Sequence, residues 1–204
     1  HPGFSQRPLS RFMTLISGDG GWFLLSACAA EIIGTMAGFG AATVLTPVAS
    51  VFLDIKTAVA VVACFHLFGN ASRLLFFGRH ISWRIARDFG LPAILCSFAG
   101  AALAGWLSPD AIRLLLGGFL VVYALLEALK VTAVRVPATT PTLLTGGVVS
   151  GAIAGLIGTG GAVRSVCLLA FGMSTQAYIG TSAAIALVVD ATRLPVYVSQ
   201  GFIP

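Results

Sequence analysis

Apolar residues run through this chain in long blocks divided by short polar punctuation. A helix of about 20 apolar residues spans the roughly 30 Å hydrocarbon core of a bilayer, so each block predicts a membrane element. The first covers residues 22–53 and is interrupted at Gly38-Phe39-Gly40, with Pro47 beyond. As one continuous rod it would measure about 48 Å, too long for a single upright crossing. That length predicts either two half-helices in a re-entrant hairpin or one broken, oblique crossing. Further spans are expected at about 56–77, 89–107 and 111–129, the last opened by Ser108-Pro109-Asp110, where proline and aspartate suit a helix start. After a linker, a second broken element covers 142–171, cut at Gly158-Thr159-Gly160-Gly161, and a final span covers 175–199. The expected fold is an all-α polytopic membrane bundle.

The two halves are related. A shift of 120 positions lays Gly38 on Gly158, Gly40 on Gly160 and Ala42 on Ala162. At the same offset Asn70-Ala71-Ser72-Arg73-Leu74 falls on Asp190-Ala191-Thr192-Arg193-Leu194. The arginine match, in register with the glycine break, carries more weight than small-residue matches in a glycine-rich chain. The organisation read from this is a polar tail (1–21), a first repeat (22–130), a linker (131–141) and a second repeat (142–204). Counterparts of 89–129 would fall at 209–249, beyond Pro204, so the second repeat is expected to be incomplete. Repeats with interrupted helices in corresponding places are the architecture of secondary transporters. If each broken element re-enters, the halves are inverted; if each crosses, they are parallel. Element length favours inversion.

Composition and charge narrow the class. Hydrophobic residues make up 57% and charged residues 9%, against about 25% charged in soluble domains, which excludes a soluble domain. The formal net charge of +5 is spread over Arg79, Arg84 and Arg87 in one connector, Lys130 and Arg135 in another, and Arg7 and Arg11 in the tail. That is the positive-inside pattern and not a nucleic-acid patch, and it places connectors 78–88 and 130–141 in the cytoplasm. Cys28, Cys64, Cys96 and Cys167 lie in apolar runs without C-x-x-C spacing and read as small hydrophobes; no metal or cofactor is expected.

A glycine break at membrane depth frees backbone groups and aims amide donors at whatever it lines. Gly38, Gly40 and Ala41, with Gly158, Thr159, Gly160 and Gly161, are therefore candidate anion-binding positions; the competing reading is close helix packing. Arg73 and Arg193 either snorkel to the interface or face the bundle interior, where Arg193 sits one turn from Asp190. Arg164 follows the second break and is expected deep. Glu31 and Asp190 are candidate proton-coupling carboxylates, and His66 reads as a packing residue. Thr181 and Ser182 offer hydroxyls to a substrate or to a neighbouring carbonyl.

Residues 151–162, reading G-A-I-A-G-L-I-G-T-G-G-A, followed by Gly180-Thr181-Ser182, resemble the second-repeat signature of the TauE/SafE sulfite exporter family. That family commonly carries a G-x-G-G-G break and an A-x-G-T-S stretch; here Tyr178 stands in place of the leading alanine. The first break resembles G-x-G-G-G-x-x-x-x-P, with Ala41 and Ala42 replacing two glycines. The resemblance covers residues 22 onward and implies transport of small anions, often sulfite or organosulfur acids, across the cytoplasmic membrane, expected to be bacterial. Arg164 is not part of that pattern. The expectation is a secondary anion transporter, with protons as a candidate coupling ion and lipid as its surroundings. A passive anion channel is the nearer alternative. An intramembrane enzyme is the further one, since no G-x-S-x-G, H-E-x-x-H or paired-aspartate motif occurs.

Overall fold

The computed structural model describes Ala29 and residues 42–129 and 136–203. The candidate residues Glu31, Gly38, Gly40 and Ala41, and with them the first glycine break, lie outside the described residues. All regular structure among the described residues is helical: α1 (Ala42–Phe52), α2 (Ile55–Phe77), a 3-10 turn (Gly78–His80), α3 (Trp83–Trp106), α4 (Pro109–Ala128), α5 (Thr140–Ile157), α6 (Gly161–Leu169) and α7 (Thr175–Ser199). The five helices α2, α3, α4, α5 and α7 are long and apolar enough to cross a membrane.

Local chemistry sets the helix ends. Asp54 accepts the Lys56 amide ahead of α2, Ser108 accepts the Ala111 amide with Pro109 in the first turn of α4, and Ser174 accepts the Ala177 amide at the start of α7. The spans expected from hydropathy agree with these bounds at α2, α4 and α7. At α3 they differ, because the helix begins at Trp83, ahead of the apolar run. Arg84, Arg87 and Asp88 thus sit on helical turns, with Asp88 bonded to Arg87 at 2.9 Å and 4.0 Å from Arg84. Hydropathy marks the part of a helix that lipid covers, while the helix itself continues into the polar interface.

Side-chain neighbours fix the helix directions. Gly147, Gly151 and Gly155 of α5 face Phe89, Ala93 and Ser97 of α3 in turn, so these helices run parallel. Gly90 and Gly105 of α3 face Ile185 and Gln200, so α7 runs parallel to them. Helix α2 runs the opposite way to α7: Phe77 at its end lies against Gly180, and Lys56 at its start stacks over Phe202 at 5.2 Å. Between α5 and α7 the chain doubles back, since α6 starts beside Ser150 and brings Cys167 against Gly146.

The α3–α5 contact is close. A Cβ at Gly147, Gly151 or Gly155 would strike α3 backbone atoms, and one at Gly100 would lie 2.8 Å from the Ala152 carbonyl. Small residues at every fourth position let two membrane helices approach until their backbones touch, which gains dispersion contacts where lipid offers no hydrophobic drive. Helix α4, by contrast, buries only Ile112 and Leu116. Its Leu114, Val121 and Leu125 are exposed, as a lipid-facing helix requires.

Candidate functional site

The second glycine break is where α5 gives way to α6. Gly158 ends α5 in the left-handed region at φ 81°, its amide returning to the Ala154 carbonyl at 3.0 Å. Glycine enters that conformation without a Cβ penalty. Gly160 then packs so close that a Cβ would strike the Ser150 carbonyl, and its own carbonyl accepts the Ser150 hydroxyl at 2.8 Å. No side chain caps the start of α6. Its first-turn amides at Gly161, Ala162 and Val163 are those a helix leaves without internal partners.

Gly161, at the start of α6, borders a cavity of about 80 Å³, room for several waters or one small anion, since a single water needs about 10–15 Å³ on this measure. Gly158, Gly160 and Gly161 line it on the break side, His66, Asn70 and Arg73 on α2, Arg164 on α6, and Ser182, Asp190 and Arg193 on α7. Among the described lining residues three arginines face one carboxylate, an excess of positive charge in a site walled by apolar helices.

The arginines are held differently. Arg193 is 1% exposed. Its Nε and Nη2 donate to Asp190 Oδ1 at 2.9 and 2.7 Å, and Nη1 donates to the Ala154 carbonyl. The Tyr197 hydroxyl donates to the Ala154 and Gly155 carbonyls. Together these two side chains serve carbonyls in the last turn of α5, where a cation also opposes the helix dipole. Arg73 Nη1 donates to Asn70 Oδ1 at 3.0 Å. Asn70 Nδ2 in turn reaches Asp190 Oδ2 at 3.5 Å, bringing together two residues 120 positions apart. Arg164 donates from Nε to Ser182 Oγ at 3.0 Å, and no carboxylate among the described residues pairs with it. One turn before Ser182, the Tyr178 hydroxyl donates to Ser165, whose own hydroxyl donates to the Gly161 carbonyl, so α7 holds α6 at the arginine and at the residue after it.

The structure thus gathers Gly158, Gly160, Gly161, Arg164, Ser182, Arg73, Arg193 and Asp190 around one cavity. Two candidates lie elsewhere. Thr181 accepts the Ser82 amide at 2.9 Å, joining α7 to the start of α3. Thr159 is fully buried and its hydroxyl meets that of Thr43 on α1 at 3.0 Å, which brings the second break against the helix that follows the first. His66, expected only to pack, stands in the cavity wall with Nδ1 3.9 Å from Asp190 Oδ2. Its signal was available, since it lies one turn before Asn70, which the 120-position offset sets against Asp190. Tyr178 and Ser165 carried no comparable signal.

A family model described as sulfite exporter TauE/SafE matches residues 23–204. The chain belongs to this family. No curated protein and no solved structure matches it. As a TauE/SafE protein it is an integral membrane protein of a transporter family, and its apolar helices are the spans such a protein requires.

Proposed function

We propose that this TauE/SafE protein is a secondary transporter of small oxyanions, sulfite or a sulfonate among them, and that the anion binds in the cavity at the α5–α6 break. Arg164 carries this reading. Its guanidinium sits in the first turn of α6, beside the helix's unbonded amides, oriented by Ser182 and without an acidic partner among the described residues. Charge-assisted bonds from a planar guanidinium and amides at a positive helix end suit a small oxyanion. Arg73 adds charge from α2. The Arg193–Asp190 pair supports the end of α5.

The transport cycle we infer follows from inverted repeats. Helix α2 shifted by 120 positions begins where α7 begins, the two run antiparallel, and Asn70 meets its counterpart Asp190 about two-thirds along each. In this reading α5 and α6 form a re-entrant hairpin. At the 120-position offset the sequence counterpart of its break is the run with Gly38, Gly40 and Ala41. Alternating access is a rocking of one half against the other, with the Thr43–Thr159 contact at their seam. The basic turn at Gly78–His80 and the start of α5 share one level, which positive-inside asymmetry assigns to the cytoplasm. A cytoplasmic membrane is the location this implies.

Proteoliposomes containing the full-length protein test the reading. Uptake of sulfite or isethionate should saturate with concentration. Arg164→Gln should raise KM by about 10- to 100-fold, the equivalent of the roughly 1.5–3 kcal/mol lost with hydrogen bonds to a charged group. Non-saturating flux would indicate a channel, and an unchanged KM in Arg164→Gln would remove this site.

A further inference from the structure

We infer that His66 is the proton-binding group of the transporter, taking up one proton for each anion bound. The inference rests on the transporter reading above and assigns its coupling ion. A proton carrier must lie on the anion's path, change charge near neutral pH, and remain tolerable to its surroundings in both states. Imidazole is the side chain whose unperturbed charge change falls between about pH 5 and 8. His66 is buried in the cavity wall, halfway along α2, with Nδ1 3.9 Å from Asp190 Oδ2.

Asp190 is the obvious rival and is poorly placed for the task. Its Oδ1 accepts two bonds from Arg193, and Oδ2 faces Asn70 and His66. A proton arriving on this carboxylate would leave the buried Arg193 charge without its counterion, an arrangement that destabilises strongly. A proton on His66 has the opposite effect, because it sets a second cation against Asp190 while the Arg193 pair stays intact.

The charges around His66 make binding of proton and anion cooperative. Asp190 and Arg193 face it from α7, Cys64 and Arg73 lie on its own helix, and Arg164 stands across the cavity on α6. Helix α1 carries no titratable side chain, and α4 places Asp110 and Arg113 at the far end of α2, where Arg113 reaches Asp54 at 3.5 Å. Among the described lining residues an imidazolium stands with three arginines against one carboxylate, and a bound anion offsets that excess of positive charge. By reciprocity the proton raises anion affinity by the same factor. The imidazole takes its proton from water on one side and returns it to water on the other, with no other bond made or broken. For a monoanion this is electroneutral symport, and each unit of pH gradient sustains about tenfold accumulation.

The test uses proteoliposomes of the full-length protein with radiolabelled isethionate, a sulfonate whose charge is constant over this pH range, and sulfite in parallel. Wild type should accumulate anion when the source side is acidic, and should exchange external for internal anion without any gradient. His66→Gln and His66→Asn should keep exchange and lose gradient-driven accumulation. In weakly buffered detergent, adding isethionate to wild type should draw one proton per site from solution, and His66→Gln should draw none. Accumulation that survives either variant overturns the inference. So does loss of exchange together with accumulation, which would make His66 part of the fold or the anion site, and so does wild type that transports without taking up protons. Absence of any flux in wild type would instead sink the transporter reading beneath it.

Discussion

The α3–α5 contact and the cavity between α2, α6 and α7 are both built from membrane helices, yet they solve opposite problems. At the first, glycines remove the side chains that would part the helices, leaving backbone against backbone. At the second, side chains hold the helices apart, and each polar group must find a partner or be offered to a ligand. Helix α5 belongs to both regions. One stripe is locked against α3, while its last turn is served by Arg193 and Tyr197 from α7. The α3–α5 contact joins a helix of the first repeat to one of the second, so in a rocking cycle α3 moves with α5 and the polar cavity is the surface that rearranges.

The largest effect is expected where the polar region depends on a single charge. Asp190→Ala leaves Arg193 1% exposed with no carboxylate partner, at a cost of about 3–5 kcal/mol as for other broken buried pairs. Thermal unfolding in detergent should show a large fall in Tm, and Asp190→Ala with Arg193→Met should recover much of it. A single variant as stable as wild type would mean that the cavity tolerates unpaired charge, and the contrast between the two regions would collapse.

The close contact should respond through sterics. In Gly151→Ala the added methyl meets the Ala93 carbonyl and lies 2.7 Å from its Cα, both backbone atoms that cannot swing aside. Overpacking of this kind costs about 1–3 kcal/mol. The loss should appear as a lower Tm with the KM of any surviving transport unchanged, since no residue of the anion site moves. A raised KM at normal Tm would show that the stripe serves the cavity.

Much of the fold was legible in the sequence because lipid imposes a simple rule: apolar blocks near 20 residues become spans, and polar residues end them. The break at Gly158–Gly161 was legible for a related reason, as consecutive glycines at membrane depth have few other uses. The offset of 120 positions singled out Asn70, Arg73, Asp190 and Arg193 before any geometry, and the structure brings the first and third into contact. What the sequence left open was orientation. Nothing in the letters says whether Arg193 snorkels outward or turns to the Ala154 carbonyl, because both are open to a long flexible side chain. Thr181 and Ser182 are neighbours of similar chemistry, yet 100° of helical rotation sends one to Ser82 and the other to Arg164. The α3–α5 stripe escaped notice because Gly151 and Gly155 lie in a run already read for its motif, and Gly147 just before it.

The smallest effect is the sharpest control on the steric argument. Gly117 in α4 is a helix-interior glycine like Gly151, but a Cβ there would meet nothing within 4 Å. The backbone freedom that glycine retains in the unfolded chain is the same at both positions, so replacement by alanine should favour the helix equally, by about 0.5–1 kcal/mol. At Gly151 the clash overwhelms that gain; at Gly117 nothing opposes it. Gly117→Ala should therefore raise Tm slightly while Gly151→Ala lowers it, a difference in sign for one chemical change on two membrane helices. A lowered Tm for Gly117→Ala would mean that another helix occupies the notch at Gly117 and Gly118 in the assembled protein. Loss of a larger species on size-exclusion chromatography would identify that helix as belonging to a second copy.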